Sequence, residues 1–370
     1  MKKCKLIISI ILISFFLNGC YGYNPIEKLG MVVGIGNDIH TNSSKDNKPK
    51  YSATFDVLLF QGNDKITSIA LPSESETVYS TINKRQNKEN KDLLTGAEQV
   101  YLLSQSRAEY GIKDLIDSFV RDPLRNEHAL IAVSKQPTYE LFSFKTPFAL
   151  SPSEHIHDLL EFAHTANFFE KDIDLIRFLT MYNEEGRKIV IPYIEILNNS
   201  FEITGLALFK GDKMLRKVSL DEARLINLMR TTNSEGYLNI IPEEYNSYID
   251  FFGRNKSTVK ASKENDRLKY DIFVNLTGTL TLNTLVEEDK TLSDPDKVGE
   301  ILSKKLEKNL TNEVHKMQNE YKTDWLDLGQ YAIAKYGRDK GYSSDEQFCN
   351  SIINVHVNVK VTSTGRKVDK

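Results

Sequence analysis

The feature that most constrains this chain is a short apolar run near its start. Lys2, Lys3 and Lys5 precede Leu6-Ile7-Ile8-Ser9-Ile10-Ile11-Leu12-Ile13-Ser14-Phe15-Phe16-Leu17. A basic segment followed by roughly 7–15 apolar residues is the layout of a secretory signal peptide. The run is short of the ~20 residues that a bilayer-spanning helix needs. It ends in Leu17-Asn18-Gly19-Cys20, the pattern of a lipobox: a small residue beside the cleaved bond, then a cysteine whose thiol takes the lipid. One acyl chain binds a membrane only marginally, at about 10⁴ M⁻¹, whereas two give stable anchoring. A diacylglyceryl group on Cys20 supplies two. The sequence therefore predicts removal of residues 1–19 and a body that folds outside the cytoplasm, tethered through Cys20.

That reading fixes the cysteine arithmetic. Cys4 leaves with the leader and Cys20 is consumed by lipid, so only Cys349 remains and no intramolecular disulfide can form. The fold must rest on core burial, with Cys349 expected as a small buried hydrophobe. Hydrophobic residues at 40% and charged residues at 27% suit a globular core. Loss of three lysines moves the net charge from −3 to −6, with 45 basic residues facing 51 acidic ones. An acidic body gives no electrostatic footprint for nucleic acid.

Beyond the stem, residues 29–39 and 51–60 read as two strands around a polar loop, an antiparallel pair. Helices are expected over 75–86, 112–120, 151–166 and 173–182, and strands over 97–103, 129–133 and 188–197. Ser151-Pro152-Ser153-Glu154 is a capping box with proline at the first helical position. A hairpin is expected around Gly211-Asp212, then a second capping box at Ser219-Leu220-Asp221-Glu222. Lys269–Leu282 is strand-like. Asp294-Pro295 opens a long amphipathic helix with Val298, Ile301, Leu302, Leu306, Leu310, Val314, Met317 and Tyr321 on one stripe. In the last element Ile353, Val355, Val357, Val359 and Val361 alternate with Asn354, His356, Asn358 and Lys360, a strand with one buried and one wet face. It is read as an antiparallel terminal strand. The sheet is therefore read as antiparallel or mixed, covered by helices on one side. Residues 1–19 are the leader, 20–199 an N-terminal region divisible near 135–150, and 203–370 a C-terminal α+β domain.

The residues that invite a chemical role have simpler accounts. Gly34-Ile35-Gly36 lacks the third glycine and the following helix of a dinucleotide fingerprint, so close packing beside a strand explains it. His157, Glu161 and His164 share a helix face at metal-ligand spacing, but without a His-Glu-x-x-His motif, and a solvated face is expected. Trp325 is expected in the core. No Gly-x-Ser-x-Gly elbow or Walker loop occurs, and no carboxylate pair stands out. No catalytic residue, metal ligand or cofactor site is assigned; Cys20 is the one site named, for lipidation.

These features together resemble the Ger(x)C family, the lipoprotein C subunits of spore nutrient germinant receptors. The resemblance rests on the cysteine followed by an aromatic (Tyr21 here, commonly Trp), on Gly34-Ile35-Gly36-Asn37-Asp38, and on Gly205-Leu206-Ala207-Leu208-Phe209-Lys210-Gly211-Asp212-Lys213. It also includes Asp324-Trp325-Leu326-Asp327-Leu328-Gly329, where Asp327 stands at a usual glycine, and the valine strand followed by Gly365. It implies an α+β fold, several mixed α/β domains with antiparallel or mixed sheets flanked by helices, and a non-enzymatic protein on the outer face of the spore inner membrane, with receptor A and B subunits as partners. A solute-binding lipoprotein is the alternative; its two lobes of repeated strand-helix alternation fit poorly with the long helix and the terminal strand.

Overall fold

The computed structural model describes residues 25–40, 49–61, 65–241, 248–284 and 294–363, apart from the side chain of Ile82. Cys20 and the loop expected after Asp38 lie wholly or largely outside these residues. Two sheets organise the chain.

The first sheet begins with β1 (Leu29–His40), β2 (Lys50–Gln61) and β3 (Lys65–Ser75), an antiparallel meander. The third of these strands was not foreseen: its sequence mixes Thr, Ser, Pro and Glu with few apolar residues, as suits an edge. Then come α1 (Val78–Gln86), the short β4 (Asp92–Leu94) and β5 (Val100–Ser104). Next are α2 (Gln105–Tyr110), α3 (Lys113–Arg121), β6 (Leu130–Ser134) and α4 (Thr138–Ser143). α5 (Pro152–Ala166), α6 (Leu175–Asn183) and β7 (Val190–Leu197) follow. β8 (Ser200–Lys210) and β9 (Lys213–Ser219) close the sheet. Its order is β3-β2-β1-β5-β6-β7-β8-β9, with β4 beside the start of β1. The centre, β1-β5-β6-β7, is parallel, and both flanks are antiparallel.

Helices cover both faces of this centre. Leu115, Ile116 and Phe119 of α3 and Leu175, Phe178 and Met181 of α6 pack on Tyr101, Leu103, Ile131 and Val133. Leu141 and Phe142 of α4 and Ile156 and Leu160 of α5 pack on Val100, Leu102 and Ala132 opposite. Every residue of β5 and β6 is therefore buried, as parallel strands between helices require.

The glycines of β1 show how close this packing is. A Cβ on Gly34 would lie 2.0 Å from Ser153 Oγ, and one on Gly36 would lie 2.2 Å from Thr138. The starts of α5 and α4 thus rest directly on the strand. Neighbouring aspartates hold them there. Ser153 N donates to Asp56 Oδ2 at 3.0 Å, and Thr138 N donates to Asp38 Oδ1 at 2.9 Å. Burial raises the pKa of both carboxyls.

The second sheet follows α7 (Leu220–Arg230), in the order β10 (Glu235–Ile240), β11 (Ile249–Glu264), β12 (Arg267–Asn283), β13 (Ile352–Ser363). Between β12 and β13 lie α8 (Pro295–Lys316), a π-turn at Met317–Tyr321, α9 (Leu328–Tyr336) and α10 (Asp345–Asn350). The alternation in β13 is as expected, with Val355, Val359 and Val361 buried. Its direction is not: β13 pairs parallel to β12. Alternation reports which face is dry and carries no information about direction, and a parallel neighbour requires a crossover, here built around α8. Along α8 the stripe Val298, Leu302, Leu306, Leu310 and Val314, continued by Met317 of the π-turn, is buried throughout. Each such side chain contributes about 2 kcal/mol relative to exposure.

The hairpin forms as expected, with Gly211 at φ +62, and its strands extend the first sheet through β7. Two local expectations change. Ser151 caps α5 by accepting from Glu154 N at 3.1 Å, yet the Glu154 carboxylate takes Leu150 N at 2.8 Å, so that box stays open. The box at Ser219 and Glu222 is closed in both directions. Cys349 is half-buried rather than enclosed, and burial raises its thiol pKa.

Candidate functional site

The face chosen from sequence for metal spacing does not assemble as drawn. His157 lies near Asp158 and Glu161, with ligand atoms within 4.8 Å of one another. Asp158 and Glu161 are exposed, and His157 Nδ1 is 3.2 Å from Asp158. His164 turns away, its Nδ1 2.7 Å from the Glu161 carbonyl. His155 points elsewhere, between the rings of Phe148 and Phe201.

A buried seam joins the two sheets, built on the segment Asp324–Gly329. Trp325 is fully buried, and its indole donates to the Phe209 carbonyl of β8 at 2.8 Å. Asp327 sits at φ +56, the left-handed region that Asp tolerates better than most residues. There its two oxygens accept from Lys188 N and from Arg230 Nη2, each at 2.8 Å. The aspartate thus meets the backbone demand that elsewhere calls for glycine and adds an anion. Arg230, at the end of α7, also faces Glu170 at 3.4 Å, and Glu170 pairs with Arg177 of α6. Burial disfavours the Arg230 cation, but Asp327 and Glu170 more than offset this and raise its pKa. Asp324 lies within the same seam. Burial, then the charge of Asp327, pushes its carboxyl up to about 7, although Gly329 N donates to it at 2.9 Å.

The other polar centre is a cavity of about 800 Å³ between α1 and α3, over the face of β1 and β2. Ile35, Phe55, Val78, Leu93 and Leu124 form its apolar lining. Arg85 and Glu98 line it as well, at 1% and 0% exposure. The guanidinium of Arg85 lies 3.4 Å over the Phe55 ring. Its Nε donates to the Leu71 carbonyl at 3.2 Å and its Nη2 to that of Ala53, while Nη1 has no partner. Burial lowers the Arg85 pKa to about 9. Glu98 Oε2 accepts from Gly96 N at 2.9 Å and from Asn126 N at 3.1 Å; its Oε1 has no partner. Sequence reading missed both residues. For Arg85 a signal exists: with Val78 and Thr81 it falls on one face of α1, the face turned to the sheet.

Fold and polar centres define a two-sheet α+β protein with a charged seam and a cleft between helices. Comparison with known proteins gives the family. The spore germination protein N-terminal domain matches residues 22–196, and the spore germination B3/GerAC-like C-terminal domain matches residues 204–365. The chain belongs to this spore germination family. It is 20% identical to spore germination protein GerQC of Bacillus cereus over 97% of this chain and 98% of that protein. It is 21% identical to spore germination protein B3 of Bacillus subtilis, over 94% and 95% of the two chains. The crystal structure of the GerBC protein has the same fold, with a TM-score of 0.58 at 17% identity over 88% of this chain and 97% of that one. The two family regions divide between 196 and 204, whereas the first sheet runs on to Ser219.

Proposed function

We propose that this chain is the C subunit of a spore nutrient germinant receptor. In this reading it catalyses no reaction, acts through assembly with A and B subunits, and is held on the outer face of the spore inner membrane by lipid on Cys20. The observation that carries the reading is the pair of germination-domain matches running from residue 22 to residue 365. The first match begins just after Cys20, which supports a division between a removed leader, 1–19, and a germination body with regions 20–199 and 203–370. Six residue steps separate Cys20 from Ile26, where the first described element starts. At no more than about 3.6 Å per residue, they keep the point where the body begins within roughly 20 Å of the lipid-bearing cysteine. Confinement beside the membrane raises the effective concentration toward embedded partners, so weak contacts suffice for assembly.

The test is Cys20→Ala in the sporulating organism, beside a deletion strain. The variant is expected to remain as precursor or to leave the membrane fraction, and its spores to germinate slowly on the cognate nutrient while non-nutrient germination proceeds. A variant that fractionates with membranes at unchanged mass refutes the anchor. Deletion spores that answer every nutrient normally, with no paralogue to compensate, refute the receptor role.

A further inference from the structure

The first sheet has two faces, and at the start of β1 they are treated differently. Leu59 and Leu93 flank Gly30 on one face and pack against the core there. On the other face Met31 pairs with Leu58 of β2 on one side and with Leu94 of β4 on the other. Directly paired residues share a face, and so do residues two apart along a strand. Leu29 and Phe60 therefore join that row, and Ile66 of β3 joins through its pairing with Phe60.

These six side chains form one apolar surface across four strands. None belongs to any of the three apolar cores formed by the described residues. Leu29, Met31, Leu58 and Phe60 are only half-buried, while Ile66 and Leu94 are 39% and 41% exposed. The same face is covered further along: Asp56, two residues before Leu58, accepts from Ser153 N at the start of α5. Contiguous apolar surface left open in this way marks a contact.

The stem says what the contact is. The bare surface begins at Leu29, three residues after Ile26, so it lies at the end of the body that the tether holds against the lipid. The rest of β1 runs about 36 Å away from it, to His40. We propose that this surface docks into the lipid bilayer, at the boundary between headgroups and acyl chains, and so fixes the orientation of the body on the membrane. The choice of lipid as the occupant rests on the Cys20 anchor proposed above. Apolar residues buried at that boundary add to the hold of an acyl anchor.

The test uses the mature chain from Cys20, made without its leader and therefore without lipid, and vesicles of phosphatidylcholine. Its outcome does not depend on the anchor: loss of the Cys20 reading leaves vesicle binding in place, and loss of vesicle binding leaves the anchor in place. The native chain is expected to float with vesicles at millimolar lipid. Ile66→Asn combined with Leu94→Asn is expected to weaken binding on the order of tenfold, the worth of burying the exposed part of both side chains. Leu215→Asn removes a 54% exposed leucine from β9, at the opposite edge of the sheet, and is expected to leave binding unchanged. Ile66→Trp reports insertion directly. Its fluorescence is expected to be quenched by vesicles with brominated acyl chains and that of Leu215→Trp to be unaffected, over a constant background from the fully buried Trp325. A native chain that does not float overturns the proposal and leaves a protein partner to cover the surface. Equal loss in the Leu215 variant, or equal quenching at the two positions, overturns it as well. The quenching comparison decides the matter even if the double variant fails to fold.

Discussion

Arg85 and Arg230 are both buried arginines, and their surroundings differ in one respect. Arg230 lies in the seam between the sheets with Asp327 at 2.8 Å and Glu170 at 3.4 Å, and its pKa is raised. Arg85 lies at the edge of a cavity with carbonyl partners and an aromatic ring, and its pKa falls to about 9. The paired cation ties four segments together: Glu170 before α6, Lys188 before β7, the end of α7, and Asp327 before α9. The other ties α1 to β2 and β3 through neutral carbonyls. Each guanidinium keeps one buried nitrogen without a partner, Nε in Arg230 and Nη1 in Arg85, so the difference lies in the carboxylates paired with Arg230.

The contrast is breakable. Arg230→Met leaves Asp327 as a buried anion without its cation, so a loss of about 3–5 kcal/mol is expected, measured by urea denaturation. A loss below about 1 kcal/mol, the level of an exposed ion pair, would remove the seam from the account.

The second prediction concerns Asp324 in the same seam. Its folded pKa is about 7, above the ordinary 3.8, because burial and Asp327 disfavour the anion. The folded state therefore keeps a proton that the unfolded chain gives up, and this group's contribution to stability grows as pH falls from about 7 toward 3.8. Each pH unit inside that window is worth up to about 1.4 kcal/mol. Relative to Asp324→Asn, the native chain should gain thermal stability between pH 8 and pH 5. Parallel melting-temperature profiles for the two proteins would count against it.

The smallest effect is expected for Arg85→Met. The variant loses two bonds to carbonyls, each worth about 1 kcal/mol net, and gains relief from an incompletely paired cation. A net loss under about 2 kcal/mol follows, well below that of Arg230→Met. Equal losses for the two methionine variants would erase the distinction between the arginine paired with carboxylates and the one held by carbonyls.

Much of this architecture is legible along the chain because it follows from local periodicity and capping. The α8 stripe from Val298 to Met317, the alternation of β13, the closed box at Ser219 and Glu222 and the turn at Gly211 all depend on neighbours within a few residues. The close-packing account of Gly34 and Gly36 is likewise correct, although their contacts, Ser153 and Thr138, lie more than a hundred residues away. β3 and β10 escaped because they lie at sheet edges, where one-sided exposure weakens the apolar pattern. The interior strand β11 escaped too, because Arg254-Asn255-Lys256-Ser257-Thr258 interrupts its apolar residues. The parallel direction of β13, the membership of β8 and β9 in the first sheet and the pairing of Arg230 with Asp327 are relations between distant segments.

The sequence by itself determined the longer amphipathic helices, the strands with a strong apolar pattern and which of their faces are dry, because propensity and periodicity act over a few residues. It also marks Cys20 as the expected anchor and carries the family motifs. Only the tertiary structure decided which strands adjoin and which buried charges meet. It turned Asp324–Gly329 into a seam and left Arg85 and Glu98 facing one cavity. Hydrogen bonding and desolvation act over a few ångströms in space, and residues separated by tens or hundreds of positions reach that range only once the chain has folded.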